Sequence, residues 1–129
     1  MLSSTLITVL ISNAVTINDA WVRPGGKGMN TALYCTVTNN SDNADTLLSV
    51  SSSIADIVQI HETYMKGNMM GMRQVKSITL DPHASLQLKP GGFHIMVINL
   101  KEDVLKNDTV DFTLHFKKAG AVDVKALVK

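Results

Sequence analysis

HETYMKGNMMGMRQVKSITLDPHASLQLKPGGFHIM, residues 61–96, is the stretch from which the fold of this chain can be inferred. Six turn-forming residues divide it: Gly67, Gly71, Pro82, Pro90, Gly91 and Gly92. They indicate a stretch that is rich in turns. Apolar and polar residues alternate from Ile78 to Leu80 and from Leu86 to Leu88, which favours short β-strands. These two segments also predict a hairpin around a turn at residues 81–84.

The same alternation continues on both sides of this stretch. In residues 31–38, every second residue is apolar and should point to one face: Leu33, Cys35 and Val37. Residues 110–116 alternate in the same way, and Trp21 is predicted to anchor the core. The sequence contains no long helical periodicity, and roughly seven to nine short strands separated by turns are typical of a β-sandwich. The sequence therefore predicts an all-β, antiparallel β-sandwich, with a single domain at residues 15–129.

Length, charge and cysteine content exclude several classes of protein. A chain of 129 residues can bury one hydrophobic core and needs no second domain. Its 12 basic and 11 acidic residues give a net charge of +1 and are spread along the sequence, which disfavours a nucleic-acid partner or a polybasic membrane surface. The one cysteine, Cys35, excludes an intrachain disulfide and CxxC chemistry, and its place on an apolar strand face predicts a buried thiol.

The amino end carries a possible targeting pattern. Residues 2–11 form an apolar run too short to span a bilayer, followed by the small residues Ser12, Asn13 and Ala14. This pattern resembles the back half of an export signal, although the basic region that precedes the apolar run in such signals is missing. Residues 1–14 are therefore predicted to be a partial export signal or an extra N-terminal segment, such as an edge strand. No membrane span is expected in the mature domain.

The stretch at residues 61–96 also concentrates soft metal donors, with five of the seven methionines and three of the four histidines. A neutral thioether cannot act as an acid, a base or a useful nucleophile, so this composition favours binding of a soft metal, with Cu(I) first. The alternative is that methionine fills gaps in the core, but a segment rich in turns offers few core positions. His94 and Met96 are two residues apart and should point to the same strand face. His83 is predicted to lie in a solvated turn, and His115 on the surface.

The soft donors are spaced as H-x10-M-x21-H-x-M, from His61 through Met72 and His94 to Met96. This spacing resembles the motif of the periplasmic copper chaperones of the PCuAC type. The similarity covers about residues 17–128 and extends to five further segments: DAWVR from residue 19, the strand around Tyr34, HET from residue 61, LKPGGFHIM from residue 88 and KAG from residue 118.

The resemblance implies a fold, a cargo and a partner. The fold would be a cupredoxin-like Greek-key β-sandwich, and the copper ligands would be His61, Met72, His94 and Met96. The protein would be a metallochaperone rather than an enzyme, periplasmic or otherwise exported. It would deliver Cu(I) to a copper-receiving protein, either the CuA-bearing subunit of cytochrome c oxidase or an assembly factor. Three methionines are extra relative to the motif and are interpreted as a hydrophobic collar, in preference to alternative ligands or an entry path: Met65, Met69 and Met70.

Other functions fit parts of the sequence. A blue-copper electron carrier needs a Cys thiolate beside two histidines, whereas Cys35 precedes every histidine and lies on an apolar strand face. A metal-free β-sandwich used for adhesion or assembly would use the methionines as a protein-binding patch. An enzyme is disfavoured because the sequence contains no CxxC, no nucleophile elbow and no pair of carboxylates near the histidines.

Overall fold

The computed structural model describes residues 14–129, so the predicted N-terminal segment lies outside the described residues except for Ala14. The described part of the chain consists of ten strands joined by turns and contains no helix. In chain order the strands are β1 (Val15–Val22), β2 (Thr31–Asn39), β3 (Asp45–Ser51), β4 (Ala55–Lys66), β5 (Met69–Gln74), β6 (Ile78–Leu80), β7 (Ser85–Leu88), β8 (Phe93–Leu100), β9 (Thr109–Phe116) and β10 (Gly120–Val128). The all-β prediction is confirmed.

The strands form one hydrogen-bonded path in the order β5-β4-β8-β2-β1-β10-β9-β3-β6, with β7 attached to β2. Its two halves enclose a single apolar core, to which β2 and β8 contribute Leu33 and Ile95, and β3 and β9 contribute Leu47 and Phe112. The chain crosses repeatedly between the halves, as in a Greek key. The pairings are antiparallel except that of β1 with β10, which is parallel. Two strands that pair in parallel need a long connection, and β1 and β10 are joined by all the strands between them.

The hairpin predicted around residues 81–84 is wrong. A turn does form there, with the Ala84 amide donating to the Asp81 carbonyl at 3.1 Å, but the flanking strands have different partners. β6 pairs with β3, whereas β7 pairs with β2. The buried Asn39 stabilises this crossing, because its side-chain amide donates to the carbonyls of Leu80 and Asp81. Alternation identifies the buried face of a strand but does not identify its partner.

A tight turn at residues 89–92 positions the start of β8. β7 and β8 pair with successive parts of β2, and this turn loops out between them. The Gly92 amide donates to the Lys89 carbonyl at 3.0 Å, with Pro90 and Gly91 at the two central positions. The φ of Gly91 is 85°, which fits the second central position of a type II turn and requires glycine there. The sequence KPGG therefore fixes where the first residues of β8 lie.

Candidate metal centre

The four predicted donors lie on one face of the sheet, the outward face of β5, β4, β8 and β2, which we call the donor face. His61 lies opposite His94 in the ladder of β4 and β8, and Thr63 lies opposite Met72 in the ladder of β4 and β5. Residues directly opposite one another share a face, and so do residues two apart in one strand. Met96 therefore projects with His94, while the residue between them is buried in the core. The structure brings all four to the same side.

His94 is buried and is held in one orientation by the turn before β8. Its Nδ1 lies 3.1 Å from the carbonyl oxygen of Gly92. A carbonyl oxygen can only accept, so Nδ1 carries the hydrogen and Nε2 keeps its lone pair. This is the arrangement in which a metal-binding histidine is usually found, with one nitrogen donating to the protein and the other free to bind.

His61 has a nitrogen lone pair that no protein group uses. Its Nε2 lies 2.9 Å from Oε1 of Gln59, an acceptor, so Nε2 carries the hydrogen. The Nδ1 atom is buried and is the only buried side-chain nitrogen or oxygen in residues 14–129 without a hydrogen-bond partner. A buried polar atom without a partner costs about 1–3 kcal/mol. A cation that accepts a lone pair would remove that cost, so His61 fits a metal ligand better than a structural core residue.

The electrostatics of the donor face keep the imidazole of His61 neutral. Burial lowers the pKa of His61 below its ordinary value, and the nearby His94 lowers it further. The two ring centroids are 5.9 Å apart, with the planes inclined at 53°. Only neutral imidazole has a lone pair for a metal, so this environment favours the binding form at neutral pH.

The two predicted thioether donors border an open cavity of about 390 Å³. Met72 and Met96 line it together with His94, and the buried Tyr34 forms part of its wall. His61 does not line the cavity, but its ring lies next to that of His94, which does. Met72 is 56% exposed, so at least one donor is directly accessible from solvent.

An aromatic cluster continues the donor face toward β1 and overturns the prediction for Trp21. The Trp21 ring is only half-buried and packs on Tyr34 with a centroid distance of 4.8 Å, outside the core. Tyr34 in turn lies 6.4 Å from the ring of His94. The β1 register shifts between Asn18 and Trp21, where Asp19 has a φ of 57°. This irregularity interrupts the alternation of β1, so Trp21 projects on the face of Tyr34 and not into the core.

Cys35 lies on the opposite side of the sheet from the donor face. It is buried in the core beside Leu33 and Val37, as predicted, and burial raises the pKa of its thiol to about 12. A blue-copper site requires a thiolate in contact with the histidine ligands. Because the Cys35 side chain projects away from His61 and His94, the structure disfavours that alternative.

The remaining histidines lie outside the donor face. His83 is exposed in the turn between β6 and β7, with a φ of 58°, and its Nε2 lies 2.7 Å from a carboxylate oxygen of Asp42. His115 lies on β9, with Nε2 3.0 Å from the hydroxyl of Ser51. Both positions agree with the predictions of a turn residue and an outward-facing residue.

The three extra methionines do not form one collar. Met65 and Met70 are cross-strand partners on the donor face. Met69 pairs with Lys66 and therefore projects to the other side of the β4–β5 hairpin. All three are largely exposed, so a role in packing around the site is not supported.

Three contributors to the site were not predicted: Gln59, Tyr34 and the carbonyl of Gly92. Gln59 lies two residues before His61 and therefore on the same strand face, so the parity of the sequence could have identified it. Tyr34 alternates with Leu33 and Cys35 and so lies on the outward face of β2, but its ring neighbours come from other strands. The position of the Gly92 carbonyl depends on the geometry of the turn, which the pattern of side chains in the sequence does not predict.

Comparison with protein families gives a match along the described domain. The model of the family described as "Putative lipoprotein LpqE-like" matches residues 15–128. "Putative lipoprotein Lxx21020" of Leifsonia xyli subsp. xyli is 32% identical over 119 residues, which span 92% of this chain and 71% of the relative. "Uncharacterized protein RP573" of Rickettsia prowazekii is 29% identical over 108 residues, which span 80% of this chain and 60% of that protein.

Solved structures similar to this chain share its fold. The copper-bound PCuAC domain from PmoF2 superposes with a TM-score of 0.74 and 26% identity, over 90% of this chain and 92% of that domain. The solution structure of CuI-DR1885 from Deinococcus radiodurans gives a TM-score of 0.68 and 28% identity, over 90% and 80% of the two chains. The cupredoxin-like β-sandwich predicted from the resemblance is confirmed. No helix in residues 14–129 is long and apolar enough to cross a membrane. The chain belongs to the LpqE-like family, and its domain is of the PCuAC type.

Proposed function

We propose that this protein binds Cu(I) and delivers it to another protein of the cell envelope. One observation carries the proposal: the buried Nδ1 of His61 has no protein partner and lies on the donor face directly opposite His94. Cu(I) suits this face because a soft d10 ion accepts neutral imidazole and thioether donors in a distorted tetrahedral set. The similar structures named as a copper-bound PCuAC domain and as CuI-DR1885 support the same cargo.

The proposed ligands are two imidazole nitrogens and two thioether sulfurs. The hydrogen bonds support Nδ1 of His61 and Nε2 of His94 as these nitrogens, since their other nitrogens donate to Gln59 and to the Gly92 carbonyl. The sulfurs are those of Met72 and Met96. Gln59 and Gly92 would then act as the groups that orient the ligands and set their tautomers.

This ligand set suits an ion that must be released. All four donors are neutral, so they hold Cu(I) less tightly than thiolates would. Met72 is also accessible on the exposed hairpin, where an incoming donor from a partner can replace it. The protein would supply positioning and exchangeable ligands, and no reaction would be catalysed.

The relatives support the proposed location, whereas the proposed recipient comes from the resemblance to the PCuAC copper chaperones. The family model and the Leifsonia protein carry the description of lipoproteins, which supports export to the cell envelope. We propose that the recipient is the CuA-bearing subunit of cytochrome c oxidase or one of its assembly factors. Mixing the Cu(I)-loaded protein with a purified apo CuA domain tests this step. Failure of copper to move would overturn the recipient while leaving copper binding intact.

Titration of Cu(I) under anaerobic conditions, in competition with a chelator, tests the binding itself. We expect one equivalent to bind tightly to the wild type. His94→Ala and Met72→Leu should each weaken binding by at least about tenfold, equivalent to about 1.4 kcal/mol. Met72→Leu preserves side-chain volume and should leave the fold intact. Met69→Leu is the matched control, because it makes the same exchange on the other side of the same hairpin.

Two results would contradict this assignment. Equal losses at Met72 and Met69 would show that the donor face does not define the site. No stoichiometric binding by the wild type would favour the metal-free adhesion or assembly module, in which the exposed methionines contact a protein partner.

A further inference from the structure

The β4–β5 hairpin extends past the rest of its layer and carries a second group of methionines. β4 pairs with β8 only as far as Glu62, opposite Phe93, but with β5 as far as Lys66, opposite Met69. Beyond Thr63 the hairpin is therefore a two-stranded ribbon. Its methionines are well exposed, at 61% for Met65 and 70% for Met70.

The register brings Met65, Met70 and Met72 together on the donor face. Lys66 and Met69 flank the two-residue turn at Gly67, whose φ is 63°, and such a turn is closed by a hydrogen-bonded pair. The next pair, Met65 with Met70, is then of the non-hydrogen-bonded type, with Cα atoms about 4.5 Å apart and side chains close together. Met72 follows Met70 on the same face, about 7 Å further along the strand. The register thus places three thioether side chains at neighbouring positions on one face.

The composition of the hairpin distinguishes a metal site from an ordinary apolar patch. Between Thr63 and Arg73 the chain contains four methionines and one tyrosine, but no leucine, isoleucine, valine or phenylalanine. A surface that only needed apolar area would gain as much from those residues. Thioether sulfur is the property that they lack, and it is a ligand selective for soft ions such as Cu(I).

The group is continuous with the centre already described. Met70 and Met72 line the same cavity as His94 and Met96. Met72 therefore belongs both to the proposed ligand set and to the thioether group at the hairpin. An ion held by Met65, Met70 and Met72 could move inward by exchanging one donor at a time, with Met72 retained throughout.

We propose that Met65, Met70 and Met72 form a second, weaker Cu(I) site, through which the ion enters and leaves the donor face. The inference rests on the proposed function, since it assigns the route taken by the same cargo. Each step replaces one copper–sulfur or copper–nitrogen bond by another, and the ion remains Cu(I) throughout. Met69, on the far side of the hairpin, takes no part.

Nuclear magnetic resonance of the full chain, labelled with ¹³C at the methionine methyl groups, tests the site directly. During anaerobic titration with Cu(I), the first equivalent should shift the methyl signals of Met72 and Met96. Further Cu(I) should shift those of Met65 and Met70, the two donors of the second site that stay free when Met72 binds the first ion, and leave that of Met69 in place. No response at Met72 and Met96 would contradict the proposed function, whereas a response there without one at Met65 and Met70 would contradict only the second site.

Transfer kinetics give an independent measurement. In a Met65→Leu/Met70→Leu variant, affinity at the first equivalent should match the wild type, but Cu(I) transfer to a chelator should slow by about tenfold, equivalent to about 1.4 kcal/mol in the barrier. The Met69→Leu control should transfer at the wild-type rate. Wild-type transfer by the double variant, or equal slowing in the control, would overturn the inference.

Discussion

Gln59 should control copper affinity without touching the ion. Its side-chain oxygen accepts a hydrogen from Nε2 of His61 at 2.9 Å, which leaves the lone pair on the buried Nδ1. Gln59→Leu keeps a similar volume but removes the acceptor, so the ring can take the other tautomer or rotate. Removing a group that orients a metal ligand typically costs 10–100-fold in metal affinity. We therefore expect Cu(I) to bind about 10–100-fold more weakly, a loss of about 1.4–2.8 kcal/mol.

Gln74→Leu is the matched control for this prediction. Gln74 is the β5 residue that pairs with His61, and both residues project onto the donor face. The Gln74 side chain is exposed and makes no hydrogen bond to the His61 ring. Competition titrations with a Cu(I) chelator should therefore give wild-type affinity for Gln74→Leu. Unchanged affinity in Gln59→Leu, or equal losses in both variants, would refute the role assigned to the hydrogen bond. Thermal unfolding of both apo variants checks that the fold is retained.

Three further predictions concern pH and the core. Acidification through the lowered pKa of His61 should weaken Cu(II) binding more than Cu(I) binding, because protonation removes an imidazole donor while the thioethers, which Cu(II) does not favour, remain; paired titrations with the two ions at neutral and acidic pH measure this, and a level Cu(II) affinity would contradict the ligand set. Asp45→Ala should destabilise the fold by about 1–3 kcal/mol, because the buried carboxylate accepts hydrogen bonds from the amides of Lys118 and Ala119. Burial opposes ionisation of Asp45, but these hydrogen bonds and that from Thr46 lower its pKa. Its contribution to the free energy of unfolding is therefore present above the pKa of the unfolded chain and is lost as pH falls through the folded value. Chemical denaturation across that range should show that Asp45→Ala loses less stability on acidification than the wild type. Cys35 should not react with a thiol reagent at neutral pH until the protein unfolds, since burial raises its pKa to about 12, and rapid labelling of the native protein would contradict its core position.

The donor face was predictable because it depends on sequence parity within strands. His94 and Met96 are two residues apart, so any strand containing both places them on one side. The spacing that led to His61 and Met72 came from the resemblance, and the register then brought those residues to the same face. Local alternation also identified Leu33, Cys35 and Val37 as core residues, and all are buried.

The wrong predictions share a different physical origin. Pairing of β6 with β3 and of β7 with β2 is determined by contacts between residues distant in sequence, which alternation does not encode. Trp21 follows an irregularity at Asp19, after which every side chain of β1 changes face relative to the simple pattern. Met69 was grouped with Met65 and Met70 because all three are extra relative to the motif, whereas the tight turn places it on the other side of the hairpin.

The location of the donor face separates copper binding from folding. The strands that carry the donors also contribute Ile60, Ile95 and Val97 to the core, and these side chains point away from the donors. The core is therefore complete without the ion, unlike that of a zinc finger, where metal binding supplies the folding free energy. Loss of copper would leave the β-sandwich intact. The main local cost would be the free energy of leaving the buried Nδ1 of His61 without a partner. Binding free energy is then set by the donors and their orienting groups alone, so affinity can be tuned for release without loss of the fold.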